Sequence, residues 1–224
     1  MTNLARRAAA EAVGTALLLA AVVGSGIMGE RLAGGNVAIA LLANTLATAA
    51  ALVALIVTFA PISGAHLNPV VTMVEAQRRA LPFGAAAVYV GAQMAGAFAG
   101  VAAAHTMFSL PLFTASRHAR AGGAQSFSET VATFGLVLVI RSCARHRPGA
   151  APFAVAAWIA GAYWFTASTS FANPAVTLAR AFTDTFAGIR LADAPAFVIA
   201  QVGSAALASM LFDWLSPPVP PAGA

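Results

Sequence analysis

Asn68-Pro69-Val70 and Asn173-Pro174-Ala175 are the stretches of this 224-residue chain whose residue types and spacing could do chemistry. Each Asn-Pro pair can open a helix. Asn is a good N-cap, and proline suits the first helical position, whose N–H would lack a partner anyway. Each triplet is followed by Val and Thr (Val71-Thr72 and Val176-Thr177). A helix start gathers about half a positive charge and presents unpaired backbone N–H groups. Two starts aimed at one point would repel cations and protons. They would also offer hydrogen bonds to a neutral polar molecule passing by.

The elements that must position them follow from composition. Sixty per cent of the residues are hydrophobic and 8% are charged, whereas a soluble domain carries about a quarter of its residues as charges. The solvent is therefore largely lipid, and the length fits about six spanning helices of roughly 20 residues each. The apolar segments are Ala8–Met28, Val37–Phe59, Phe83–Phe108, Phe127–Ser142, Pro152–Thr166 and Ala194–Leu215. The two Asn-Pro segments, ending near Gln77 and Phe182, are too short to span. Ten residues cover about half of a hydrocarbon core of about 30 Å.

Matched short segments in two halves point to a midplane site in an inverted repeat. Glu11 and Glu129 sit early in the first and fourth spans, and Gln93 matches Gln201. The reading is one transmembrane channel domain over 1–224, with repeat 1 at about 8–108, repeat 2 at about 127–215 and a proline-rich tail at 216–224. Three spans per half bring the half-helices in from opposite faces, N-terminus to N-terminus. Irregular backbone before each, Ile62–Leu67 and Ala167–Ala172, is tolerable in a membrane only around a wet cavity. The expected activity is a narrow polar path for uncharged solutes.

The net charge of +5 comes from arginine, as the chain has no lysine. The arginines are scattered, so no basic face for nucleic acid appears. Their placement suits both chain ends in the cytoplasm, with Arg6, Arg7, Arg78, Arg79, Arg141, Arg145 and Arg147 inside. Arg31, Arg117, Arg120, Arg180 and Arg190 would lie outside. Cys143 is the single cysteine, so no disulfide or metal cluster is expected, and no cofactor. The first apolar run is read as a span rather than a signal peptide. Gly96 and Gly100 suggest close helix packing, and Trp158, Tyr163 and Trp164 a membrane-interface belt. Ser25 and His105 could suggest an intramembrane serine protease, but nothing pairs them.

Ser63-Gly64-Ala65-His66-Leu67-Asn68-Pro69, the second Asn173-Pro174-Ala175, Glu11, Glu129 and the repeat resemble the aquaporin or major intrinsic protein family. The resemblance covers nearly the whole chain. It implies an all-α membrane protein with six transmembrane helices and two re-entrant half-helices. It also implies one pore per subunit, a homotetramer in the lipid bilayer of the cell's inner membrane, and Glu11 and Glu129 as loop anchors. His66 would line the inner vestibule.

Two positions depart from the family. Val70 stands where alanine is usual, and Val176 where most members have an arginine in the tightest constriction. Spacing carries the other filter positions to Thr48, Gly161 and Ser170; a slip of one or two residues would bring in Phe171 or Tyr163. The resulting filter is wide and weakly polar. It implies passage of water, glycerol, urea and neutral metalloid hydroxides such as arsenous acid, as in a bacterial aquaglyceroporin branch linked to arsenic resistance. Arg180, one turn beyond Val176, is a candidate outer-vestibule cation, the alternative being a pair with Asp184. A water-selective channel is the nearer alternative and an ion-coupled transporter with inverted repeats the more distant one.

Overall fold

The computed structural model describes residues 3–217, so all but the first two residues of the proline-rich tail read at 216–224 lie outside the described residues. All regular structure among them is helical. The order is α1 (Leu4–Leu32), α2 (Val37–Ser63), α3 (Pro69–Gln77), α4 (Phe83–Met107), α5 (Gly123–His146), α6 (Ala151–Phe165), α7 (Pro174–Arg180) and α8 (Ala194–Leu215). Five of these are long and apolar enough to cross a membrane. At 15 residues α6 is shorter, about 22 Å, and a 3-10 turn over Pro148–Ala150 extends it. Its residues Ala151, Val155, Ile159 and Tyr163 nevertheless line one cavity from end to end, so it makes the sixth crossing.

Local chemistry explains the breaks. Helix α2 runs through Pro61 and stops at Gly64, whose left-handed φ of 93° closes the last turn by donating its N–H to the Ala60 carbonyl. Helices α3 and α7 open at Asn68 and Asn173, each in extended conformation, each followed by proline at the first turn. These are the two half-helices expected at the Asn-Pro pairs.

The halves pack alike: α1 on α2 and α4, α5 on α6 and α8. They interlock through α2 against α6, α4 against α7, α3 against α8, and α3 against α7. Gly96 and Gly100 set the α1–α4 contact. A Cβ at either would fall 2.2 Å from the carbonyl oxygen of Ala12 or Ala16, so only glycine permits this approach. The outer surface carries apolar side chains such as Leu46, Ile199 and Met210.

Arg141, counted above among the cytoplasmic-side arginines, lies inside α5. It is buried, pairs with Asp213 at 2.6 Å and donates to the Ser209 carbonyl and hydroxyl, both at 2.8 Å. It is a clamp between α5 and α8, which removes it from the topology signal of free loop arginines.

Candidate functional site

The two half-helices meet through their capping asparagines. Asn68 Oδ1 accepts the Val70 N–H at 3.0 Å, and Asn173 Oδ1 accepts those of Ala175 and Val176 at 3.0 and 3.3 Å. With each oxygen turned to its own helix, each amide Nδ2 reaches across. Asn68 donates to the Ala172 carbonyl and Asn173 to the Leu67 carbonyl, both at 2.8 Å. The two loops are thus stitched together at their tips.

The backbone before each asparagine is held in an unfavourable form. Ala65 and Leu67 have φ of 47° and 49°; their counterparts Ser170 and Ala172 have 51° and 49°. Such left-handed non-glycine residues cost about 1 kcal/mol or more each. Two buried carboxylates hold them. Glu11 accepts from Ser63 Oγ (2.6 Å), His66 N–H (3.0 Å), Leu67 N–H (2.7 Å) and Gln93 Nε2 (2.8 Å). Glu129 accepts from Phe171 N–H (2.9 Å), Ala172 N–H (2.8 Å) and Gln201 Nε2 (2.7 Å). Each glutamine also donates to a threonine, Gln93 to Thr72 and Gln201 to Thr177, both at 2.9 Å. Those hydroxyls donate in turn to the carbonyls of Asn68 and Asn173. The threonines stood in the repeated motif, and their role as the last link went unread.

Along the junction runs a cavity of about 360 Å³. Its walls are helical stripes: Leu18 and Val22 from α1, Thr48, Leu52 and Ile56 from α2, Leu136, Ile140 and Ala144 from α5, and the α6 stripe above. Asn68 and Asn173 line its middle and Val176 its wall, whereas Pro69, Val70, Pro174 and Ala175 are buried behind it. Glu11 and Glu129 are also buried and do not line it.

Of the residues expected at the constriction, Thr48, Ser170 and Val176 line the cavity together. Gly161 does not; it lies on the exposed face of α6, where an added Cβ would meet only Phe165. Tyr163, two residues on, lines the cavity instead, and its hydroxyl donates to Thr48 Oγ1 at 3.3 Å. Phe171 joins the wall as well. The aromatic belt therefore divides: Tyr163 faces the cavity, Trp158 donates to the Ala132 carbonyl at 2.9 Å, and Trp164 stays exposed.

The two mouths differ. At the end nearer the chain termini, Glu75 and His66 line the wall. Glu75 pairs with Arg78 at 3.1 Å; His66 contacts Thr72 Oγ1 through Nδ1 at 3.1 Å and packs edge-on against Tyr89. At the other end stands Arg180, buried and lining the cavity. It is not paired with Asp184, which is held by Arg117 at 2.8 Å. His105 bridges the Pro111 carbonyl and Thr183 Oγ1, while Ser25 bonds Ala21 and Asn44, so no serine–histidine pair forms. Among the described residues no cluster of three or more His, Cys, Asp or Glu could hold a metal.

This geometry can pass a small polar molecule in file past two amides and a set of loop carbonyls, between otherwise apolar walls. Comparison with known proteins agrees with that. The model of the family described as "Major intrinsic protein" matches residues 1–162. The chain is 53% identical over 219 residues to the aquaglyceroporin AqpS of Rhizobium meliloti, covering 98% of this chain and 94% of that protein. It is 30% identical over 242 residues to the probable aquaporin AqpM of Archaeoglobus fulgidus, covering 96% and 98%. Among solved structures, the aquaglyceroporin from Plasmodium falciparum shares the fold with a TM-score of 0.71 at 19% identity, covering 96% of this chain and 98% of that one. Family match and near-full-length relatives converge: the chain belongs to the major intrinsic protein family.

Proposed function

We propose that the chain is a passive channel for water and small uncharged solutes, with glycerol, urea and neutral metalloid hydroxides such as arsenous acid as its range. The observation that carries this is Val176 in the cavity wall where an arginine would fill space and bind water. Around it Tyr163, Phe171 and Val176 offer an apolar side, and Thr48 and Ser170 hydroxyls a polar one. That amphipathic lining suits a polyol's carbon edge and its hydroxyls at once. The aquaglyceroporin title of the 53%-identical relative supports the same range.

The site residues divide into roles. Asn68, Pro69, Val70, Asn173, Pro174 and Ala175 build the junction; Thr48, Tyr163, Ser170 and Val176 form the filter, Tyr163 taking the place assigned to Gly161. Glu11 and Glu129 anchor the loops, and His66 lines the terminal-side vestibule. A single channel domain with two inverted repeats accounts for the matched networks. Apolar outer surfaces suit a lipid bilayer and a homotetramer. Apart from Arg141, the arginines assigned to that side, Arg6, Arg7, Arg78, Arg79, Arg145 and Arg147, favour a cytoplasmic face for both termini of an inner-membrane protein.

One observation favours water selectivity: Tyr163 and Phe171 are larger than the residues first assigned. Stopped-flow light scattering on proteoliposomes separates the readings. Glycerol, urea and arsenous acid should all enter well above the empty-liposome rate, and Val176→Arg should cut glycerol entry by about tenfold or more while sparing water. Rapid water flux with no entry of the three solutes would establish a water-selective pore. Ion coupling is disfavoured because Glu75, the one carboxylate in the cavity wall among the described residues, is already paired with Arg78.

A further inference from the structure

The mouth at Arg180 holds a cation with no counter-ion. Arg180 is 2% exposed. Its Nε donates to the Ala187 carbonyl, and its guanidinium carbon stands 3.4 Å from the centre of the Phe171 ring. Nη1 and Nη2 have no hydrogen-bond partner among the described residues, so four of the five N–H donors of a guanidinium are left over. The acids nearby are committed elsewhere. Asp184 is held by Arg117, Asp193 by Arg190 and the Arg120 backbone, and Glu129 by its three donors. A second guanidinium, Arg120, stands over the same Phe171 ring at 5.1 Å.

An independent observation points to a ligand at the same place. Ser170, also 2% exposed, lines this cavity, and its Oγ is buried with no partner. No protein group among the described residues takes this hydroxyl, so it is open to whatever occupies the cavity. Thr48 and Tyr163 add two more hydroxyls to the wall. The set is thus one free guanidinium fork, a second positive charge behind it and two hydroxyls free to donate, those of Ser170 and Thr48, the Tyr163 proton going to Thr48. A fork of parallel N–H groups matches two oxygens on one atom.

We infer that this mouth binds a small, singly charged oxyanion, with Arg180 as its fork and Ser170 as a further donor. The anion stops there. Beyond the filter the side walls are Leu18, Leu52, Val155 and Ile159, and only the neutral Asn68 and Asn173 amides with their helix starts face them, too few donors to replace the water of a full charge. Bound at the mouth, it occludes the path of neutral solutes. The occlusion rests on the channel reading; the binding does not.

Methanesulfonate is the probe, because it carries three acceptor oxygens and stays ionised. Isothermal titration of the full-length protein in neutral detergent, at constant ionic strength in chloride, should show saturable binding. Arg180→Gln should weaken it by about tenfold or more and Ser170→Ala by a smaller factor, while Arg31→Gln leaves it unchanged. Ser170→Ala carries the test if Arg180→Gln does not fold. No saturable binding to the wild type, or equal affinity in both site variants, overturns the site. In proteoliposomes, methanesulfonate on the Arg180 side should slow glycerol flux. Binding without slowing would overturn the occlusion alone, and wild-type liposomes with no solute flux would overturn the channel reading while the titration still decides the site.

Discussion

The two re-entrant halves are built on one frame and differ where they face the solute. Glutamate, glutamine, threonine and asparagine form the same chain of hydrogen bonds in each: Glu11–Gln93–Thr72–Asn68 and Glu129–Gln201–Thr177–Asn173. Even the aromatic contacts correspond, His66 on Tyr89 at 5.3 Å and Phe171 on Phe197 at 5.2 Å. Yet Glu75 and Arg180, each seven residues after its capping asparagine, put opposite charges at opposite mouths. Glu75 is neutralised by Arg78; Arg180 has no acid. What fixes the loops is shared because both loops pose the same backbone problem. What meets the solute is free to diverge because nothing in the frame depends on it.

The sharpest way to break that comparison is through the anchors. Glu11 accepts four hydrogen bonds and Glu129 three. Replacing either by Gln turns an amide NH₂ toward donors and leaves buried N–H groups without acceptors, a loss of about 2–4 kcal/mol. Glu11→Gln should cost about 1 kcal/mol more than Glu129→Gln, one hydrogen bond's worth. Unfolding in detergent, followed by circular dichroism, measures both. Equal losses would mean that the extra Ser63 bond to Glu11 adds nothing; a loss at one anchor and none at the other would mean that the halves do not share this frame. A smaller effect should separate the helix pairs. Gly96→Ala drives a Cβ into the Ala12 carbonyl, an overpacking of about 1–3 kcal/mol. The corresponding position in α8 already holds Ser204, so Ser204→Ala should change stability by less than about 1 kcal/mol. If both are neutral, α1 and α4 are not in the close contact described.

The frame was legible in the sequence because it is written twice: Glu11 with Glu129, Gln93 with Gln201, and two Asn-Pro pairs leave little freedom in how four helices and two half-helices can be paired. The filter was legible only in part. Thr48 lies on a long helix whose phase is fixed, and Val176 sits three residues past a cap, so both landed in the cavity wall. Gly161 did not, because counting back from Asn173 crosses an irregular loop. There Thr169, Ser170 and Ala172 adopt left-handed φ, and a two-residue error turns a helix by about 200°, from cavity to lipid. Arg180 was seen as a candidate for the mouth, but its missing partner was not, since only the fold reveals that Arg117 has taken Asp184.

The comparison extends to the covers of the two mouths, and pH separates them. The connection after α3, residues 78–82, is pinned through backbone, with the Ala80 and Leu81 N–H groups on the Glu75 carbonyl. Over the other mouth, residues 108–122 lie on residues 181–193 through three backbone bonds (Thr114 N–H to the Phe182 carbonyl, Ser116 N–H to Ala181, Arg190 N–H to His118) and, beyond them, through two carboxylates. Asp184 takes the Arg117 backbone N–H and guanidinium, which hold its carboxyl below the usual carboxylate range. Asp193 is held down chiefly by the Arg190 guanidinium, with the Arg120 backbone N–H assisting against partial burial. A carboxylate depressed on folding contributes stability that is full above its unfolded value, about 3.9, and is lost as pH falls through the folded value. The stretch around Arg117 and Arg120 should therefore stay fixed from neutral pH to about 4 and loosen only below that, while the backbone-bonded Thr114 and Ser116 hold. The effect is small, under about 1 kcal/mol for Asp184, because Arg117 is exposed. Hydrogen exchange corrected for intrinsic rates should show the Arg117 and Arg120 amides losing protection below that pH while Ala80 and Leu81 keep theirs. Asp184→Asn should expose the Arg117 amide at neutral pH as well. If all four amides respond alike to acid, the Arg117 and Arg120 amides are not held by the two carboxylates.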